Sequence, residues 1–227
     1  MVMKLVKKIF RRLTGKRDIY IDDYKWEIKK YLTSSPVILE AGACDGKDTL
    51  QMATLWPKAT IHSFEPVPEL FEKAKERLKG VKNVKLYPYA LSDKTGKIQL
   101  HLSSGLSEGS SSILSPNKHL EVHPDVKFEQ TIYVNSYSID DWAKQHHVDK
   151  IDFMWLDLQG AEFNVLQSSP KIFDTLKVLF TEVSIIETYS NVTLYPEFRK
   201  WLEDRKFRVV LEDLPYVDMG NVLLVRE

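Results

Sequence analysis

One cysteine, Cys44, is all that 227 residues contain, so no intrachain disulfide can brace this fold. That usage suits a reducing compartment, and a cytoplasmic setting is expected. Nowhere does an apolar run approach the roughly 20 residues that cross a bilayer. No apolar segment of signal-peptide type follows the basic start. Neither charge is in excess, with 32 basic residues against 32 acidic. The six histidines show no H-x-x-x-H or similar spacing, so no metal ligand set is assigned. His146-His147 reads instead as a helix end, where His suits the dipole. The dinucleotide fingerprint G-x-G-x-x-G is missing as well.

The charge balance hides a split. Residues 1–17 carry seven basic side chains and no acid, which leaves 25 basic against 32 acidic in the remainder. A body of net −7 is a poor general binder of nucleic acid, whose phosphates demand clustered Lys and Arg. DNA is not expected as a partner.

What is present is a 43% hydrophobic chain, enough for one globular domain with a full core. Its most informative stretch is Val37-Ile38-Leu39-Glu40-Ala41-Gly42-Ala43-Cys44-Asp45-Gly46. An apolar run ends in an acid and a Gly-rich turn follows. A second run, Thr60 to Phe64, ends in Glu65. Strand, turn, helix, strand, acid is the order of a βαβ unit that binds a nucleoside-like ligand. A Gly-rich turn presents free N–H groups at a helix start. Glu40 would repel a pyrophosphate but suits the ammonium of a methionine moiety, and Glu65 is placed to accept ribose hydroxyls. The pair favours S-adenosylmethionine over NAD. Cys44, inside the turn, reads as a small packing residue rather than a nucleophile.

Residues 2–14 read as an amphipathic basic helix, with Leu5, Ile9 and Leu13 on one stripe. Such a helix either touches a membrane surface or partner, or packs on its own domain. Ile19 to Leu32 reads as a further helix, ended by Ser34-Ser35-Pro36. Residues 1–35 are thus taken as an N-terminal basic segment and 36–227 as the main domain. Strand and helix alternate from Val37, break after Asp93, and resume at Ser138. The break carries two strand-like runs, Lys97–Leu102 and Lys127–Asn135, around the Ser- and Gly-rich stretch 103–116. It reads as a β insertion bearing either a functional loop or a plain linker. Repeated βα units imply a largely parallel sheet with helices on both faces.

Several pieces, in order, resemble the FkbM family of S-adenosylmethionine-dependent methyltransferases. They are Glu40-Ala41-Gly42-Ala43-Cys44-Asp45-Gly46, Phe64-Glu65-Pro66, Ala90-Leu91-Ser92-Asp93 and the Gly109–Ser112 cluster. Asp157-Leu158-Gln159-Gly160-Ala161-Glu162 is the most specific, and Gly220-Asn221-Val222-Leu223 closes the set. The resemblance implies a Rossmann-like class I methyltransferase fold. That is an α/β architecture with a mostly parallel seven-stranded sheet, helices on both faces, and a β insertion after the third strand. Two positions depart from the family's pattern: Cys44 stands where Asn is usual, and Gln159 where Glu is usual.

By the same resemblance, Glu40 and the backbone of Gly42, Ala43, Cys44, Asp45 and Gly46 hold the cofactor's methionine end, with Thr49 adding a hydroxyl. Glu65, followed by Pro66, binds the ribose, while Ala90, Leu91 and Ser92 line the adenine. Asp157 faces the transfer site and either orients and deprotonates the acceptor hydroxyl or caps the next helix. Glu162 either reaches the site or is structural; a hard cation bridging it to Asp157 and a substrate diol is a lesser reading. The expected activity is O-methylation of a sugar, glycan, lipid-linked or other small-molecule hydroxyl, with S-adenosylhomocysteine as product. An RNA methyltransferase using the basic start as an arm, and a non-catalytic S-adenosylmethionine binder, are the alternatives. Oligomeric state is not legible.

Overall fold

The computed structural model describes residues 8–11 and 18–227. Two short strands come first, β1 (Lys8–Arg11) and β2 (Asp18–Ile21), paired antiparallel. Helix α1 (Asp23–Ile28) follows, continued by one 3-10 turn, Lys29–Tyr31. The helix expected over residues 2–14 is therefore a strand at Lys8–Arg11, and the rest of that span lies outside the described residues. The helix expected from Ile19 begins only at Asp23, because the Asp22 carboxylate accepts the Lys25 N–H at 3.1 Å and caps it there. Ile9-Phe10 and Ile19-Tyr20-Ile21 are β-branched and aromatic, and short apolar runs of that kind fit either period.

The remaining elements follow the expected alternation. They are β3 (Val37–Ala41), α2 (Lys47–Leu55), β4 (Thr60–Phe64), α3 (Pro68–Arg77) and β5 (Val84–Tyr87), then β6 (Ala90–Leu91), β7 (Gly96–Gly105), α4 (His119–Val122) and β8 (Val126–Tyr137). After these come α5 (Ile139–His146), β9 (Phe153–Leu156), α6 (Glu162–Gln167), α7 (Pro170–Phe173), β10 (Val178–Ser184), α8 (Tyr195–Glu203), β11 (Phe207–Asp213) and β12 (Met219–Arg226). Seven strands form one sheet in the order β11-β12-β10-β9-β3-β4-β5. All neighbours are parallel except β12, which runs antiparallel to β10 and β11. The insertion is a separate three-stranded sheet, β6-β8-β7. The mostly parallel sheet and the β insertion after the third of its strands are thus both present.

A parallel sheet must be covered on both faces. Ile38 and Leu39 point to opposite faces and both are fully buried. Leu39, Leu156 and Leu179 pack under Trp142, Phe198 and Leu202, whereas Ile38, Phe153 and Phe180 pack under Met52, Trp56 and Ile28. Ile28 brings α1 into that second layer. Strand order reverses between β3 and β9: the chain leaves β3 for β4 on one side and later returns to β9 on the other. Ligands of open α/β sheets bind in the crevice at the carboxyl ends of the strands at such a switch point.

Candidate active site

A cleft of about 410 Å³ opens at that point. The turn after β3 forms one wall. Gly42 has φ +88°, and an added Cβ would lie 2.1 Å from the Asp157 carbonyl oxygen. The turn after β3 therefore rests directly on the turn after β9, and only glycine fits between them. Gly42 and Ala43 both donate their N–H to the Phe64 carbonyl, at 3.1 and 2.9 Å. Cys44 is left-handed at φ +49° and its N–H donates to Glu65 Oε2 at 2.7 Å. The Val67 N–H reaches Glu65 Oε1 at 2.9 Å. Glu65 lines the cleft with each carboxylate oxygen holding one N–H, and each can accept one more donor. Burial pushes its carboxyl up to about 7 against those two bonds.

Glu40 lies fully buried just behind this wall. Its Oε2 accepts from Thr49 Oγ1 at 2.5 Å and Ser63 Oγ at 2.7 Å, while Oε1 has no partner among the described residues. Burial raises this carboxyl to about 7 as well. On β9 its register partner is Trp155, whose ring centroid lies 4.2 Å from that of Phe180 at a 33° tilt and 4.0 Å from Lys25 Nζ. Lys25 is sealed from solvent and paired with Asp22 at 2.6 Å and Asp48 at 2.7 Å. Helix α1 thus delivers a buried cation to the edge of the cleft. Asp22 stands only three residues before Lys25, but Asp48, the partner beside the cleft, comes from a distant part of the chain, so the sequence pattern does not mark the site.

Asp157 sits just past β9. It is walled by protein on most sides, yet its carboxylate is exposed to the cleft. Desolvation raises its pKa, and the charge of Asp48 adds to this. Gln159 Nε2 donates to Asp157 Oδ1 at 2.8 Å and to Glu182 Oε2, two residues before the end of β10, at 2.9 Å. The roof comes from the insertion: Glu108, Gly109, Ser111 and Ile113 line the cleft. Ser112 Oγ donates to the Gln159 carbonyl at 2.8 Å, and the Tyr189 hydroxyl donates to the Ser110 carbonyl at 2.8 Å. The Ser-rich stretch is bonded into the site wall.

The FkbM methyltransferase domain model matches residues 40–209. The chain belongs to that family. It is 33% identical over 161 residues to the 2-O-methyltransferase NoeI of Sinorhizobium fredii (strain NBRC 101917 / NGR234), across 69% of this chain and 66% of that protein. The chain therefore spans just under two thirds of that relative's length. The Methanococcus jannaschii fibrillarin pre-rRNA processing protein has a similar fold, with a TM-score of 0.53 at 14% identity over 97% of this chain and 83% of that one. So does the N-terminal domain of EvdMO1 with SAH bound, with a TM-score of 0.51 at 13% identity over 90% of this chain and 79% of that one.

Against this FkbM frame, the residues read from the sequence fall into three groups. Gly42, Ala43, Cys44, Asp45, Glu65, Pro66, Ala90, Leu91 and Asp157 line the cleft. Glu40, Thr49, Gly46 and Ser92 stand behind it. Thr49 serves Glu40. Gly46, at φ +77°, packs the turn on α3, where a Cβ would meet Ala74 at 3.1 Å. Ser92 Oγ donates to the Lys94 carbonyl at 2.7 Å. Glu162 forms the third group. It is buried, and its Oε1 accepts the Leu158 N–H at 2.7 Å and the Gly160 N–H at 3.4 Å. It ties the turn that carries Gln159 and does not face the cleft. The N-cap of α6 is Ala161, with no side-chain cap, so Asp157 is not spent on capping that helix.

The FkbM cofactor is S-adenosylmethionine, and the residues fit it. A buried carboxylate with one unpaired oxygen behind the Gly42 turn suits an ammonium group, and Glu65 keeps acceptor capacity for a ribose diol. The pKa of Glu40 carries a consequence. Its folded value lies above the ordinary 4.5, so its contribution to apo stability is full below that pH and is lost as pH rises through about 7. A bound ammonium favours the charged form and reverses the balance. Titrating S-adenosylmethionine at about pH 6.5 should therefore release protons. Calorimetric heats should differ between buffers of high and low ionisation enthalpy, and Glu40→Gln should remove most of the difference. Equal heats for the wild type would show that Glu40 is already charged.

Proposed function

We propose that this protein transfers a methyl group from S-adenosylmethionine to a hydroxyl of a neutral, sugar-type acceptor. The observation that carries the reading is a carboxylate, Asp157, exposed in the cleft where its own backbone touches the cofactor turn at Gly42. The cofactor supplies an activated methyl group on a sulfonium. The chain's own residues align an oxygen with it and manage one proton. Asp157 accepts the hydroxyl proton as the oxygen attacks, and its raised pKa makes it a stronger base than an ordinary carboxylate. Glu40 and Glu65 would hold the two ends of the cofactor, on the strand ends beside Asp157.

The cleft's charge supports a neutral acceptor. Among the described residues, Asp45, Asp48, Glu65, Glu108 and Asp157 line it against a single basic residue, Lys47. Phosphodiesters would meet mostly like charge there, which disfavours an RNA acceptor. The 2-O-methyltransferase relative supports an oxygen acceptor. Contact of the basic N-terminal segment with a membrane surface is a further part of the proposal, supported by its charge alone.

Calorimetric titration of S-adenosylmethionine and S-adenosylhomocysteine tests the cofactor half. Wild type should bind both, and Glu65→Ala should weaken them about 10- to 100-fold, the equivalent of roughly 1.5–3 kcal/mol for hydrogen bonds to a charged group. Incubating the protein with S-adenosylmethionine and a panel of methyl glycosides, read by mass spectrometry, tests the acceptor half. Binding without methylation of any hydroxyl would favour the non-catalytic alternative.

A further inference from the structure

Strands β9 and β10 are parallel neighbours, with Thr181 opposite Leu156. Asp157 and Glu182 follow that pair and stand side by side at the carboxyl edge of the sheet. Two carboxylates on adjacent strands repel. Here one carboxamide holds them: Gln159 Nε2 gives one N–H to Asp157 Oδ1 at 2.8 Å and the other to Glu182 Oε2 at 2.9 Å. Gln159 is buried and left-handed at φ +53°, a conformation a glutamine adopts at a cost. Its amide cannot turn over without setting its oxygen against both acids. The Tyr189 hydroxyl, 3.1 Å from Gln159 Oε1, and the Ser112 bond to its carbonyl hold it further.

The amide is neutral, so it orients the two acids without cancelling their charge. Among the described residues, neither Asp157 Oδ2 nor Glu182 Oε1 has a hydrogen-bond partner. Asp157 is exposed and Glu182 is half-buried. We propose that Glu182 is a second acceptor-binding carboxylate, held to Asp157 by Gln159 as positioning residue, and that the site takes a vicinal diol rather than an isolated hydroxyl. This rests on the methyl-transfer reading above. The two divergent N–H bonds place the bound carboxylate oxygens about 5 Å apart. Hydroxyls on adjacent ring carbons can donate one to each acid. The hydroxyl on Asp157 is methylated: its oxygen–methyl bond forms as the sulfur–methyl bond breaks. Its proton passes to Asp157, and the carbon–sulfur electron pair stays on sulfur. The hydroxyl on Glu182 keeps its proton and sets which oxygen is presented.

The test uses full-length protein, S-adenosylmethionine, and methyl glycopyranosides paired with counterparts lacking one hydroxyl of the vicinal pair. Wild type should favour the intact diol at least about ten-fold in kcat/KM, the usual worth of a donor to a buried charged acceptor. In Glu182→Gln that ratio should fall toward one, chiefly through acceptor KM. Gln159→Leu should lower it too, with the Kd for S-adenosylhomocysteine unmoved in both variants. A purely structural role would depress both acceptors equally and leave the ratio intact. An unchanged ratio in Glu182→Gln, or preference for an amino-deoxy glycoside over the diol, would overturn the proposal while leaving methyl transfer standing. Cofactor binding with no transfer to any hydroxyl would overturn both.

Discussion

Replacing Asp157 with Asn should lower kcat about 10²- to 10⁴-fold, the usual worth of a positioned general base. The fold should survive, because Asn Oδ1 can still accept the Gln159 amide now bonded to Asp157 Oδ1 at 2.8 Å. Cofactor Kd should change far less than kcat, since the Glu40 and Glu65 contacts lie on other strands. Steady-state kinetics beside calorimetry of S-adenosylhomocysteine checks both halves. A near-normal kcat in Asp157→Asn would move the proton transfer elsewhere, with Glu182 the next carboxylate on the same edge. A parallel loss of cofactor affinity would instead make Asp157 a cofactor-binding residue.

Most of the core was legible because the physics there is local. Val84–Tyr87 has the bounds read from the sequence, and Ser138 caps α5 as its spacing implied, accepting the Asp141 N–H at 3.2 Å. Apolar runs flanked by turn residues can only be buried strands in a repeating βα pattern. The N-terminal segment was misread because its apolar spacing fits two periods, and pairing with a partner strand decided between them. The site was legible where one motif carries the geometry, as in the Gly42 turn and Glu65. It was not legible where function depends on tertiary neighbours. Glu162 lies in the most specific motif yet serves its own backbone, while Glu182 and Lys25 lie in no motif yet bond to Gln159 and to Asp48 beside the cleft. Left-handed backbone at Cys44 and Gln159 is equally invisible to residue type, for Asn would be the usual tenant of such a conformation. Those two positions are also where the chain departs from the FkbM pattern, and both turns touch the cleft.

The largest structural effect is expected at Gly42. In Gly42→Ala the new Cβ would fall 2.1 Å from the Asp157 carbonyl oxygen and 3.1 Å from its carbon, at φ +88°. Both obstacles are backbone, so neither can rotate away. Relief requires moving the end of β3 away from the end of β9, the two strands that carry the cofactor turn and the base. The substitution should cost about 3 kcal/mol or more, a Tm lower by roughly 6–12 °C for a chain of this size. Gly80→Ala separates the two causes. Gly80 has nearly the same dihedral, φ +82°, but nothing lies within 4 Å of its added Cβ. It should show the backbone strain alone, about 1 kcal/mol. The difference between the two variants is then the cost of prising the two turns apart. Methyl transfer should fall in Gly42→Ala even well below its Tm, because the displacement separates Asp157 from the cofactor turn, and it should persist in Gly80→Ala. Equal Tm losses in the two variants would mean that the β3 and β9 turns yield easily, and that their contact does not set the geometry of transfer.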